Sequence, residues 1–116
     1  MLFRSTLTED QLLALGEKLY QTNCAACHLA DGKGVGGIFP PVANSDYFAG
    51  EISKTIHPVV NGLSGEITVN GNKYNSVMPK QALTDAETAA VLTYIYQTMN
   101  NQKTRITADD VKKVRQ

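Results

Sequence analysis

Two thiols three positions apart with an imidazole directly behind them, Cys24-Ala25-Ala26-Cys27-His28, constrain this chain more than any other feature. Cys-x-x-Cys-His is the arrangement that attaches a c-type haem. The cysteines are spaced for thioether bonds to the porphyrin, and the adjoining histidine reaches the iron from one face. The chain has 2 cysteines, so this use leaves none for a disulfide. Two other chemistries use such a pair. A dithiol oxidoreductase places Cys-x-x-Cys near a βαβ pattern, which does not follow here. Zinc usually takes four N/S ligands at paired spacing, and only His57 is left to supplement the cluster. The expectation is one covalent haem c, bound through Cys24 and Cys27, with His28 as a metal ligand.

A chain of 116 residues suits one domain with a modest core, to which a haem adds a broad apolar face. The formal net charge is zero, so bulk charge points neither to nucleic acid nor to an anionic membrane. The basic side chains Lys103, Arg105, Lys112, Lys113 and Arg115 gather at the C-terminal end, where a solvated helix face or tail is the expectation. No apolar run approaches membrane-spanning length. The opening Met-Leu-Phe-Arg-Ser-Thr lacks the apolar core of a secretory signal. Covalent haem attachment in bacteria is extracytoplasmic, so the chain is expected to be a periplasmic mature protein or a domain cut from something longer, its export signal lying elsewhere.

The pattern predicts a helix over residues 9–21, capped by Thr8 with Gln11 completing a capping box. Leu12, Leu15, Gly16, Leu19 and Tyr20 form its apolar stripe. Gly16 costs helix stability there, and close approach of another helix explains it. Residues 31–41 hold four glycines and suit a chain running flat along a haem edge. A phosphate loop is excluded, because Gly-Lys-Ser/Thr is missing and no strand leads in. A short helix over 52–60 is expected to be interrupted by Pro58 and ended by Asn61-Gly62. Asn70-Gly71 predicts a β-hairpin with Ile67 opposite Tyr74 and Val69 opposite Asn72. The last long helix starts at Thr84, with Glu87 as its box partner, and buries Ala90, Val91, Tyr94, Ile95 and Met99. A polar stretch and a short helix from Thr107 are expected to follow.

The sixth iron position separates electron transfer from ligand chemistry. The candidates are Met78, Met99 and His57. Met78 is favoured, because Ser76-Val77-Met78-Pro79 is a loop in which a methionine has little to do for a core. Met99 lies on a helical stripe, where packing is its ordinary job. His57 precedes Pro58 on a helix and is expected to face solvent or make a hydrogen bond. A thioether sulfur favours the reduced metal and, paired with histidine, gives the electron-transfer pattern. The rivals are a haem peroxidase and a gas-binding module, both of which need an open iron site.

These residues resemble a class I c-type cytochrome over residues 8–100. The likeness is carried by Cys24-x-x-Cys27-His28, Gly32-Lys-Gly34, Phe39-Pro40-Pro41, Val77-Met78-Pro79 and the two long helices. The resemblance implies an all-α fold with crossed N- and C-terminal helices around the haem and a small β-hairpin before the axial methionine loop. It implies a cytochrome domain over 1–100 and a polar, basic extension over 101–116. It further implies that Gly16 and Tyr20 meet Val91 and Tyr94, and that the Pro40 carbonyl accepts the ring N–H of His28. Three segments, residues 39–47, 65–71 and 74–79, are similar to the haem domain fused to some copper-containing nitrite reductases. That likeness implies delivery of electrons to a type 1 copper in a tethered cupredoxin domain. The alternative is a free-standing periplasmic carrier. In either case the partner is a redox protein, met through a transient apolar contact at a haem edge bordered by Val35, Ile38 and Val77.

Overall fold

A computed structural model describes residues 7–115. The opening hexapeptide read above for a signal lies outside the described residues. Helix α1 (Glu9–Asn23) starts as the capping pattern requires: the Gln11 N–H donates to Thr8 Oγ1 at 3.1 Å, and the Thr8 N–H donates to Gln11 Oε1 at 2.9 Å. It runs two residues beyond the predicted end. One further turn, α2 (Ala25–His28), carries the thiol–imidazole motif.

Helix α4 (Asp85–Tyr94) opens with the second predicted box, Thr84 with Glu87. It does not continue as a plain α-helix. Residues Ile95–Met99 form a π turn, the kind of local widening that often sits at functional sites. Helix α1 packs on α4 through Gly16. A Cβ on Gly16 would overlap the Ala90 carbonyl oxygen and stand 2.6 Å from Tyr94 Cβ. The atoms nearest that Cβ belong to Ala90 and Tyr94, while Val91 is buried in the same core as Tyr20 and Tyr94. Tyr20 and Tyr94 meet as expected, with ring centroids 5.9 Å apart.

Helix α3 (Ile52–Asn61) contains Pro58 and is not interrupted by it. Pro58 cannot donate to the carbonyl of Lys54, a residue on the exposed side of the helix where water can satisfy that oxygen. Gly62, at φ +80°, then stops the helix, its N–H donating to the Pro58 carbonyl at 3.0 Å. Strands β1 (Ile67–Val69) and β2 (Asn72–Tyr74) pair antiparallel in the predicted register, Ile67 with Tyr74 and Val69 with Asn72. Asn70 and Gly71 both take positive φ, as a type I′ turn demands.

The C-terminal stretch ends in α5 (Ala108–Arg115), which packs on α3 and α4. Ile106 and Val111 are buried in the core shared by those helices, while the five basic side chains stay exposed. The Thr93 hydroxyl ties this segment down, accepting the Ile106 N–H at 2.9 Å. Arg115 closes the end with an ion pair to Asp85 at 2.7 Å.

Tyr20, Tyr94 and Tyr96 pack in this core, and burial pushes all three phenols above their ordinary value of 10.0. A phenol whose folded value exceeds its unfolded one favours the folded state while both are protonated. That contribution is complete below about pH 10 and is lost as the unfolded chain begins to ionise above it. Thermal stability should therefore hold to about pH 9 and fall steeply beyond pH 10. Tyr20→Phe should flatten the alkaline fall in a pH series of melting curves; an unchanged slope would contradict the assignment.

Candidate haem site

The motif is shaped by the turn that follows it. Leu29 ends α2 at φ +68° and ψ 160°, a region that non-glycine residues occupy only under strain, at a cost of roughly 1–3 kcal/mol. The phenol of Tyr20 holds the strained residue, donating to the Leu29 carbonyl at 2.7 Å. The chain then doubles back, so that the Gly34 N–H donates to the His28 carbonyl at 2.9 Å. Gly34 has φ +70°, and any Cβ there would collide with the carbonyls of Phe39 and Pro40. That close approach brings Pro40 beside the imidazole. His28 Nδ1 lies 2.8 Å from the Pro40 carbonyl, the contact that the resemblance implies. An Nδ1–H donating to this oxygen leaves Nε2 as the nitrogen free for a metal and fixes the ring's direction.

Met78 is positioned from the opposite side of the sequence. Its N–H and carbonyl both pair with Leu63, each at 2.8 Å, so the methionine loop is stitched to the end of α3. Leu63 had no signal in the sequence, because a two-residue bridge has no periodicity to read.

Between these segments lies a cleft of two lobes. Cys24, His28, Pro40, Leu63, Ile67 and Met78 line both lobes. Cys27 stands at the outer lobe. The inner lobe is closed by Val42, Phe48, Val59, Leu92 and Ile95, with Tyr47 and Thr55 as its hydroxyl groups. Thr55 Oγ1 donates to the Ile52 carbonyl and shares a 2.8 Å bond with the Tyr96 hydroxyl, so this polar wall group is satisfied within the protein. An apolar slot carrying two thiols, an imidazole with one nitrogen engaged and a thioether fits a haem with soft and nitrogen axial ligands.

The remaining sequence candidates divide. Ile38 and Val77 line the outer lobe and are exposed, Val77 at 70%. Val35 lines neither lobe; its backbone pairs with Phe39, and it is Phe39 that reaches the cleft. Met99 sits away from the cleft lining, with its sulfur against Gly32. His57 is exposed and bonds Asn61 at 3.0 Å.

Burial sets the protonation of the motif before any haem chemistry. It lowers the His28 imidazole from its usual value, opposed in part by the Pro40 carbonyl. It pushes the Cys24 thiol up to about 11, with Cys27 adding to the rise. Burial thus favours the uncharged forms of both the Cys24 thiol and the His28 imidazole.

A helical fold built around a thiol–imidazole–thioether cleft is that of a class I c-type cytochrome. The Cytochrome c family profile matches residues 13–99, and the chain belongs to that family. It is 40% identical over 110 residues to cytochrome c-552 of Thermus thermophilus, a match spanning 86% of this chain and 83% of that protein. It is 32% identical over 104 residues to the cytochrome c subunit of the quinone alcohol dehydrogenase of Gluconobacter oxydans, covering 86% of this chain and 22% of that subunit. A 27% match over 118 residues joins it to the cytochrome subunit of fructose dehydrogenase from Gluconobacter japonicus, covering 96% of this chain and 23% of that subunit. The protein is a haem c electron carrier. Among the described residues no helix is long and apolar enough to cross a membrane.

Proposed function

We propose that Cys24 and Cys27 carry the haem by thioether bonds, that His28 and Met78 ligate its iron, and that the protein takes single electrons from one redox protein and passes them to another. The observation that supports this is the convergence of Cys24, His28 and Met78 on one apolar cleft, with His28 Nδ1 already engaged by Pro40. The bound haem supplies a one-electron ferric/ferrous couple. The chain's part is to hold that couple in a dry slot, to keep the imidazole in one orientation, and to fill the remaining iron position with sulfur. A filled position leaves no seat for oxygen or peroxide, which favours a carrier over a peroxidase or a gas-binding module. Ile38, Val77 and Cys27 mark the side from which electrons leave, where a small apolar contact suits a brief encounter. The compartment proposed is the bacterial periplasm, where covalent haem attachment is completed.

For the acceptor, residues 39–47, 65–71 and 74–79 carry the reading of a type 1 copper in a tethered cupredoxin domain. The relationship to a c-552 cytochrome of which this chain spans 83% favours the second reading, a one-domain carrier. The reading frame around the chain separates the two: a cupredoxin pair upstream supports the first, an export signal directly upstream the second.

The site itself is tested on protein matured with haem-attachment machinery. Its colour should stay with the polypeptide through acidified organic extraction, and its ferrous form should bind carbon monoxide slowly or not at all. Colour lost to the solvent overturns covalent attachment. Rapid, complete carbon monoxide binding overturns the assignment of Met78.

A further inference from the structure

One wall of the inner lobe is built from the irregular segment 41–48, which contains only a single 3₁₀ turn, Asp46–Phe48. It nonetheless supplies Val42, Tyr47 and Phe48 to the lining. Three carboxamides from distant parts of the chain fasten it: Gln102 holds its end, donating from Nε2 to the Phe48 carbonyl at 2.9 Å, and two asparagines hold residues 42–46. Asn100, directly after the π turn, donates from Nδ2 to the Val42 carbonyl at 2.8 Å and to the Ile95 carbonyl at 3.0 Å. Its Oδ1 accepts the Ser45 N–H at 2.9 Å. Both amide hydrogens and the oxygen are thereby used. Asn70, at the hairpin tip, accepts the Asp46 N–H at 2.8 Å and donates to the Asn44 carbonyl at 3.0 Å. Asp46 answers by accepting the Asn70 N–H at 2.9 Å. Neither asparagine lines the cleft.

We infer that Asn100 and Asn70 are positioning residues for the redox centre: by clasping the segment 42–46 from two sides they seat the inner wall against the haem and so set its reduction potential. This rests on the haem reading proposed above. The physical link is polarity. Ferric haem carries one more positive charge than ferrous haem, so water beside it favours the oxidised form, and a dry wall favours the reduced one. A wall built from loop has no helical or strand ladder to keep it closed; backbone bonds from Val42 and Ala43 to the Gly32 carbonyl and from Asn44 to the Met99 carbonyl do only part of the task. Side-chain hydrogen bonds from outside the cleft supply the rest, and the π turn aids this by setting Asn100 where its amide reaches Ile95 and Val42 together.

The test uses the holoprotein and two variants. Asn100→Ala removes three hydrogen bonds; Asn70→Gly removes the second carboxamide while leaving the positive φ of that turn easy to adopt. Amide hydrogen exchange at Ser45 and Asp46 should quicken by about tenfold or more. The reduction potential should fall in both variants, further for Asn100→Ala. Thr84→Ala, which removes the α4 cap outside the cleft, serves as control and should lower the melting temperature without moving the potential. Faster exchange with an unmoved potential overturns the inference, as does unchanged exchange. A potential that falls equally in the control overturns it too, because general stability would then be the cause. A colourless wild-type protein would instead overturn the haem reading, and shows itself before any variant is made.

Discussion

Met78→Ala is expected to drop the reduction potential by roughly 0.2 V, a sizeable part of the ≈ 0.8 V span over which axial ligands move haem potentials. Sulfur stabilises the soft ferrous ion more than the ferric one, and alanine offers no donor to replace it. The weak red charge-transfer band of sulfur-ligated ferric iron should disappear, and carbon monoxide should bind the reduced variant rapidly. The fold should survive, because the two bonds that stitch residue 78 to Leu63 use only backbone atoms. A spectroelectrochemical titration gives the potential and the band together. If both are unchanged, the sulfur ligand has been assigned to the wrong residue, and Met99 is the next to replace.

Gly16→Val should cost about 3 kcal/mol or more, the upper range of overpacking penalties in a well-filled core. For a domain of this size that lowers the melting temperature by roughly 10–20 °C. The sign is the informative part. In an exposed helix, replacing glycine by alanine gains about 1 kcal/mol of helix propensity. Here even the alanine Cβ would overlap the Ala90 carbonyl and crowd Tyr94, so Gly16→Ala should also destabilise. Thermal unfolding followed by far-UV circular dichroism of both variants decides it. A more stable alanine variant would mean that α1 and α4 do not meet at this point.

Wherever the chemistry was local, it could be read directly from the residues. The thiol–imidazole motif, the two capping boxes and the hairpin register each depend on side chains within a few positions of one another, and each is present in the structure. Features that arise from packing were hidden. Pro58 reads as a break, yet α3 passes through it because the unpaired carbonyl belongs to a residue on the exposed side. Gly16 signals a close approach to the last long helix, and Tyr94 meets it as expected, but that the Ala90 carbonyl stands nearest is a backbone detail no side-chain pattern carries. The π turn, the Leu63–Met78 bridge and the burial of Ile106 and Val111 depend on contacts between segments far apart in the chain. Val35, singled out for its apolar side chain, was outdone at the cleft by its bridge partner Phe39.

The pairing of α1 with α4 also bears on the timetable of biogenesis. The thiols proposed to carry the haem sit at the end of the first helix and in the turn that follows it, whereas the surface that covers that helix comes from α4, about sixty residues further along. Until α4 is in place nothing presents the Ala90 and Tyr94 surface that covers Gly16, and a chain that has not yet closed this contact keeps the thiols of the motif open to the attachment that the proposed haem reading requires.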